Sequence, residues 1–230
     1  MFVDIHTHNF HVEKNHLNFL VGSHSLGIHP WELNNPFDIH SCKEKFNNLK
    51  NQLSSKVLAI GECGLDRRRE GLVSIEIQEK ILEWHMDWAL EVKLPIVIHC
   101  VRAYSDLLKI LKTKKYRGKI LLHDYSENLE MAQALLHYDC YFSFGARLFK
   151  NNLDLEKVFQ SLPLDKIFLE TDDQKVFNIE AIYEKAQSLL NMNEVALEER
   201  LMSNLTDFFS DLDNISTADV IDNLSLARTL

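Results

Sequence analysis

Apolar and polar positions follow two rhythms along this chain. Short apolar runs of strand length fall near 2–6, 18–28, 57–62, 95–99, 119–124, 140–144 and 167–171. Between them lie stretches with helical spacing. The clearest is 75–92, where Ile77, Ile81, Trp84, Trp88 and Val92 share one helical face. Ser74 stands where a cap belongs, and Pro95 follows the end. Residues 104–113, 127–138, 153–162, 179–190 and 194–211 read as further helices. Strands alternating with helices predict parallel βαβ units and an α/β fold. The pattern yields seven strands rather than eight, because the stretch between His8 and Leu17 is too short for a strand and a helix. Residues 1–211 read as a single domain. Residues 212–230 are polar and aperiodic, a C-terminal tail that is frayed or at most a weak surface helix.

The ends of the apolar runs carry the chemistry. The first run closes on Asp4-Ile5-His6-Thr7-His8. Residues two apart in a strand share a face, so His6 and His8 can aim two imidazoles at one metal. Later runs lead into Glu62, His99, His123 and Glu170-Thr171-Asp172. Ligands recurring at the C-terminal ends of strands are what a metal-dependent (β/α) barrel hydrolase requires. The expected architecture is therefore a TIM-like barrel, distorted by one compressed βα unit near the N-terminus. Asp4 shares the parity of His6 and His8 and is expected to support an imidazole rather than bind metal. Asp66 reads as a structural or capping residue. Trp84 and Trp88 read as core. His11, His16, His24, His40, His85 and His137 lack a motif and read as surface or helix residues.

Composition narrows the setting. The chain has 230 residues, 46% apolar and 26% charged, enough for one well-buried domain. No apolar run approaches the roughly 20 residues that span a bilayer. Met1-Phe2-Val3-Asp4 does not resemble a signal peptide, so the expected location is cytoplasmic. The four cysteines, at 42, 63, 100 and 140, form no CxxC pair. Cys63 and Cys100 directly follow candidate ligands, so they would point away and act as small buried hydrophobes. A net charge of −9 argues against a broad basic face for nucleic acid but leaves room for a local phosphate site. Arg67-Arg68-Arg69 reads either as a backbone clamp at the site mouth or as a solvated charge run.

In chain order the motifs are Asp4-Ile-His-Thr-His8, Gly27-Ile-His-Pro-Trp31, Gly61-Glu-Cys-Gly-Leu-Asp66, Ile98-His-Cys-Val-Arg102, Leu122-His-Asp-Tyr-Ser126 and Leu169-Glu-Thr-Asp172. This series resembles the TatD family of metal-dependent deoxyribonucleases, with a weaker echo at Ser203-Asn204-Leu205. The resemblance implies a two-metal site. His6 and His8 match the N-terminal ligands, and Glu62 matches the carboxylate that bridges both metals. His99 and His123 match ligands of the second metal. Asp172 matches the last ligand, which also orients or deprotonates water. Two ions about 3.5–4 Å apart can share such a carboxylate and activate water. Magnesium or manganese suits the mixed donors, and zinc is compatible. The resemblance also assigns His29 to phosphate binding or proton transfer, and places Arg102 near a family arginine, although Val101 intervenes. With Arg67 and Arg68 these form the candidate substrate-binding set. Single-stranded DNA or DNA 3′ ends would be the substrate, trimmed by an exonuclease. No motif calls for a membrane or an obligate protein partner.

The chain departs from the family in three places. His-Asp-Tyr-Ser-Glu replaces the His-Cys-Phe-Ser-Gly type of loop, Glu-Thr-Asp-Asp-Gln lacks the family proline, and the second βα unit is short. These changes remodel substrate-choosing loops and keep all six ligands. Two rivals therefore stand: a hydrolase of esters or amides, such as a D-aminoacyl-tRNA deacylase, and a metal-stabilised binding scaffold without turnover.

Overall fold

In the computed structural model, residues 1–9, 15–210 and 217–225 are described. The apolar runs form eight parallel strands: β1 (Phe2–Thr7), β2 (His16–Leu20), β3 (Ser25–Leu26), β4 (Ala59–Asp66), β5 (Ile96–Val101), β6 (Ile120–Leu122), β7 (Cys140–Phe144) and β8 (Ile167–Leu169). Nearly all of their residues are buried, as parallel strands covered on both faces must be. β1 pairs with β2, and β3 to β8 pair in chain order. Two seams complete the ring. Val21 bridges to Ser25 between β2 and β3, and Thr7 bridges to Asp172 beyond β8. At the second seam the Asp172 amide donates to the His6 carbonyl at 2.9 Å, and the His8 amide donates to the Asp172 carbonyl at 3.1 Å. The expected TIM-like barrel is what the chain forms.

The count of seven strands is corrected to eight among the described residues. The run near 18–28 is not one strand. Gly22 adopts φ +82°, and the Ser23 and His24 amides both donate to the Leu20 carbonyl. The chain turns there, so β2 pairs with β1 while β3 pairs with β4. No helix separates β2 from β3, so the compression anticipated between His8 and Leu17 extends to residues 21–24.

The helices cover the barrel. They are α1 (Ile39–Lys50), α2 (Ile75–Val92), α3 (Tyr104–Lys114), α4 (Leu129–Leu135), α5 (Leu153–Ser161), α6 (Ile179–Leu190), α7 (Glu194–Phe208) and α8 (Thr217–Ser225). The pattern did not predict α1, which buries only Cys42 and Phe46 and opens on an Asp38 cap to the His40 and Ser41 amides. Ser74 stands at the N-cap of α2, but its side chain makes no capping bond. Trp88 is buried in the core and Trp84 half-buried, both against Phe46. Residue 211, the expected end of α7, lies outside the described residues.

Two clusters hold the fold. The larger lies largely between strands and helices. The second joins Val3, Ile5, Leu17, Phe19, Val97, Leu121, Tyr141 and Phe168 to Phe208 and Phe209, and to Val220 and Leu224 of α8. The stretch read as a polar tail thus contributes a packed helix, and the described part of it is more than a surface feature. Asn204 of α7 is fully buried and donates to the Leu164 and Ile167 carbonyls at 2.7 and 2.8 Å, fastening α7 to the start of β8. Among the described residues, no helix is long and apolar enough to cross a membrane.

Candidate metal centre

β4 carries Glu62 and is gripped by its neighbours through glycine. A Cβ on Gly27 would stand 2.5 Å from the Glu62 carbonyl oxygen, and one on Gly64, at φ +149°, would overlap the His99 carbonyl. Only glycine lets three backbones approach this closely. The Gly-Ile-His-Pro and Gly-Glu-Cys-Gly motifs thereby set His29, Glu62 and His99 side by side.

Glu62 is buried and presents its two oxygens to different neighbours. Oε2 faces His6 Nε2 at 3.4 Å and His8 Nε2 at 3.3 Å. Those two nitrogens also face Asp172 Oδ1, at 3.7 and 3.5 Å. Oε1 faces His29 Nε2 at 3.0 Å, His99 Nδ1 at 3.1 Å and His123 Nε2 at 2.9 Å. The structure therefore brings together all six expected ligands and His29. Three overlapping donor groups have spacing suited to a metal ion: His6 with His8 and Glu62, His6 with His123 and Asp172, and His29 with Glu62 and His99.

The partners around this ring decide which nitrogens are available. His29 Nδ1 accepts from the Trp31 amide at 3.1 Å, closing a capping box with Glu32. A neutral His29 then carries its proton on Nε2 and acts toward the site as a donor, not a metal ligand. His99 is the reverse case. Its Nε2 lies 3.2 Å from Asp66 Oδ2, and a carboxylate only accepts. The proton sits on Nε2, and the Nδ1 lone pair points at Glu62 and at His123 Nε2, 3.0 Å away. His123 Nδ1 lies 3.6 Å from Glu170 Oε1, and Glu170 Oε2 accepts from Ser143 Oγ at 2.5 Å. Gln78, fully buried, holds the Asp66 backbone through the Asp66 amide at 2.7 Å and the Asp66 carbonyl at 3.2 Å.

Charge in this ring is strongly perturbed. Burial works against the Glu62 anion, yet His123, His29 and His6 hold its carboxyl well below the usual range. Burial also penalises the Asp66 anion, but bonds from His99, Arg68 and Trp31 hold it low. Burial pushes the His6 imidazolium down to about 4. Burial raises Asp172, with Glu170 adding to the effect.

Several expectations need correction. Asp4 supports no imidazole: it accepts from the Thr171 amide at 3.0 Å and the Thr171 hydroxyl at 2.6 Å, tying β1 to the end of β8. His16 and His24 are buried rather than on the surface, and His85 lies on helix α2, as expected, but is buried there. His16 pairs with Glu180 at 2.9 Å, and His24 Nδ1 accepts from the Leu20 amide at 2.9 Å. His85 Nε2 accepts from the Ile28 amide at 3.0 Å while Nδ1 donates to the Ile81 carbonyl at 2.7 Å, pinning the backbone just before His29. His11 lies outside the described residues. The four cysteines are free and buried, as expected.

The mouth is lined by the loops after the strands. Arg67 binds Asp106 at 2.9 and 3.0 Å and Glu70 at 2.9 Å. Arg68 binds Asp66, and Asp66 also caps the turn by accepting from the Arg68 amide at 2.9 Å. Arg102 follows β5, exposed, at φ 55°. Arg147 binds Asp124 at 2.6 Å, a pair the sequence did not flag. Where the family proline is missing, Gln174 Oε1 accepts from the Val176 and Phe177 amides and so orders the loop after β8.

The donor chemistry suits a cation. His6 Nδ1 and Nε2, His123 Nδ1 and Glu170 Oε1 are buried without hydrogen-bond partners. Buried polar groups are rarely left this way. The sequence pattern of the TatD related DNases matches residues 4–210. The chain belongs to that family. It is 33% identical over 151 residues to an "Uncharacterized metal-dependent hydrolase" of Buchnera aphidicola subsp. Baizongia pistaciae, covering 64% of this chain and 54% of that protein. It is 31% identical over 165 residues to the "Uncharacterized metal-dependent hydrolase YcfH" of Escherichia coli K12, covering 68% and 59%. It is 32% identical over 155 residues to a TATDN1 homolog of Enterocytozoon bieneusi, whose name carries deoxyribonuclease as a provisional activity, covering 64% and 53%. The match thus spans little more than half the length of these relatives. Two solved structures share the fold at TM-score 0.69. The TatD homolog YJJV of Escherichia coli K12 is 22% identical, covering 81% of this chain and 76% of that one. A TatD family hydrolase of Entamoeba histolytica is 19% identical, covering 80% and 73%.

Proposed function

We propose that this TatD-family hydrolase is a phosphodiesterase that trims DNA from its 3′ end, and that His6, His8 and Asp172 on one side of Glu62 and His99 and His123 on the other would hold two divalent ions. The observation that carries the reading is the division of Glu62, whose Oε2 faces His6 and His8 while its Oε1 faces His99 and His123. Asp172 completes the first group. Magnesium or manganese fits the carboxylates, and zinc is compatible with the imidazoles. When bound, two such ions bring the pKa of water toward neutrality and offset charge on a phosphate. The chain's own residues do the rest. Asp172 is placed to orient the attacking water and take its proton. His29, with its proton on Nε2, donates to a phosphate oxygen. Glu62 holds the two halves in register. DNA as the substrate draws on the family description and on the provisional name of the Enterocytozoon relative.

Hydrolysis of a 3′-labelled single-stranded DNA oligonucleotide tests this, run with magnesium, with manganese and with EDTA, beside Glu62→Gln. The expected result is metal-dependent release of mononucleotides that the variant loses. No cleavage by protein that retains its metal, measured by elemental analysis, would sink the reading. One observation favours the ester-hydrolysing rival: Arg67 and Arg68 already engage Asp106, Glu70 and Asp66, which leaves less charge for a phosphate clamp. If that rival is right, an aminoacyl ester is cleaved instead and Arg67→Ala leaves the rate intact.

A further inference from the structure

Trp31 is 52% exposed, and no Phe, Tyr or other Trp side chain among the described residues stands so open. It sits two residues after His29, in the single helical turn Pro30–Glu32. The indole is not a loose surface ring. Its Nε1 donates to Asp66 Oδ2 at 2.7 Å, and its amide donates to His29 Nδ1 at 3.1 Å. Both anchors lead directly into the metal centre, because His29 touches Glu62 and Asp66 touches His99. The Arg68 and Arg69 guanidinium carbons lie 5.4 and 5.2 Å from its ring centroid. Arg69 Nε is buried without a hydrogen-bond partner.

A purely structural role explains part of this. Any donor could satisfy Asp66, and burial would reward a large ring. Neither accounts for an indole fixed at both ends and yet half open to solvent. A rigid aromatic face flanked by guanidiniums is how single-stranded nucleic acid is held: every base has a π face, and the cations attract both ring and backbone.

We infer that Trp31, with Arg68 and Arg69, is a stacking platform for one nucleobase of the bound strand, the base beside the phosphate presented to Glu62. This rests on the phosphodiesterase reading above. The platform reads no base edge, so it accepts all four bases and favours purines, whose rings cover more of the indole.

Trp31→Ala and Trp31→Phe separate stacking from anchoring, because phenylalanine keeps a ring and loses the bond to Asp66. On single-stranded DNA, Trp31→Ala is expected to raise KM about tenfold, the size of one base–aromatic stack, with a smaller change in kcat. Trp31→Phe should stay within about threefold of wild type. The Trp31→Ala penalty should shrink on an oligonucleotide with an abasic residue at that position. With EDTA present, so that nothing turns over, the oligonucleotide should quench tryptophan emission of wild type and not of Trp31→Phe. Equal impairment of the two variants overturns the platform in favour of Asp66 and His99 positioning. Absence of both quenching and a KM effect, in protein that cleaves DNA, overturns it outright. If wild type cleaves no DNA at all, the phosphodiesterase reading falls, and the platform with it.

Discussion

The two ends of the barrel strands are built on opposite terms. At the N-terminal end Val97, Leu121, Tyr141 and Phe168 pack against Phe208, Phe209, Val220 and Leu224. Two residues further along the same strands, on the same face, stand His99, His123, Ser143 and Glu170. There the buried polar atoms outrun their partners. Burying a charge or an unsatisfied polar group costs stability, so the apolar end must hold together what the polar end strains. Stability and chemistry are divided along the length of each strand rather than between separate regions of sequence.

Substitutions at the two ends should therefore fail differently. Glu62→Gln is expected to cut hydrolysis on the order of 10³-fold or more, the scale of losing a main transition-state stabiliser. The metal content of the purified protein should fall with it. A variant that keeps its rate would take Glu62 out of the chemistry. Phe208→Ala should do the converse. It empties a fully buried site and is expected to cost about 3–5 kcal/mol in urea unfolding. The fraction that stays folded should keep kcat/KM within a few-fold. A loss of activity well beyond the loss of folded protein would show that the two ends are coupled, against the division argued here.

How far this division could be read from sequence follows from what each end asks of its residues. The ring of candidate ligands was legible because strand-end histidines and carboxylates break an apolar run, and the barrel was legible because runs and periodic stretches alternate. The glycine-bounded motifs carried the close backbone approach at Glu62. The eighth strand was hidden because β2 and β3 lie in one apolar run, and only the turn at Gly22–His24 divides them. Helix α1 was hidden because it buries just Cys42 and Phe46, too few positions to show a period. Asp4 misled because parity places a side chain on a face without naming its partner, and Thr171 arrives from the far end of the chain. The roles of Glu170, Ser143 and Gln78 depend on contacts between elements, and no local pattern encodes them. His85 was rightly read as a helix residue, but its bond to Ile28, 57 positions away, was hidden for the same reason.

His85 also gives the finest comparison, because the same side chain is buried at the candidate metal centre in a different state. His6 and His85 are both fully buried, and burial pushes both imidazoliums down to about 4. His85 has a partner on each ring nitrogen, whereas neither nitrogen of His6 has one. For His85 the sign is fixed by the neutral folded state. The unfolded chain takes up a proton below about 6.5, where the folded ring still refuses it. Its contribution is therefore full at neutral pH and is lost as pH falls from about 6.5 to 4, by up to about 3 kcal/mol. His24 and His6 are lowered in the same direction, so wild type alone would mix several groups. The gap in urea-unfolding free energy between wild type and His85→Gln isolates the one ring. That gap should narrow steadily from pH 7 to pH 4.5. A gap that does not change with pH would mean that His85 titrates alike in both states, and that its two hydrogen bonds do not hold it neutral. For His6 the matching experiment turns on metal: saturating manganese should steepen the acid loss of stability, since a ligand nitrogen must be unprotonated to bind, and should leave the His85 gap where it was.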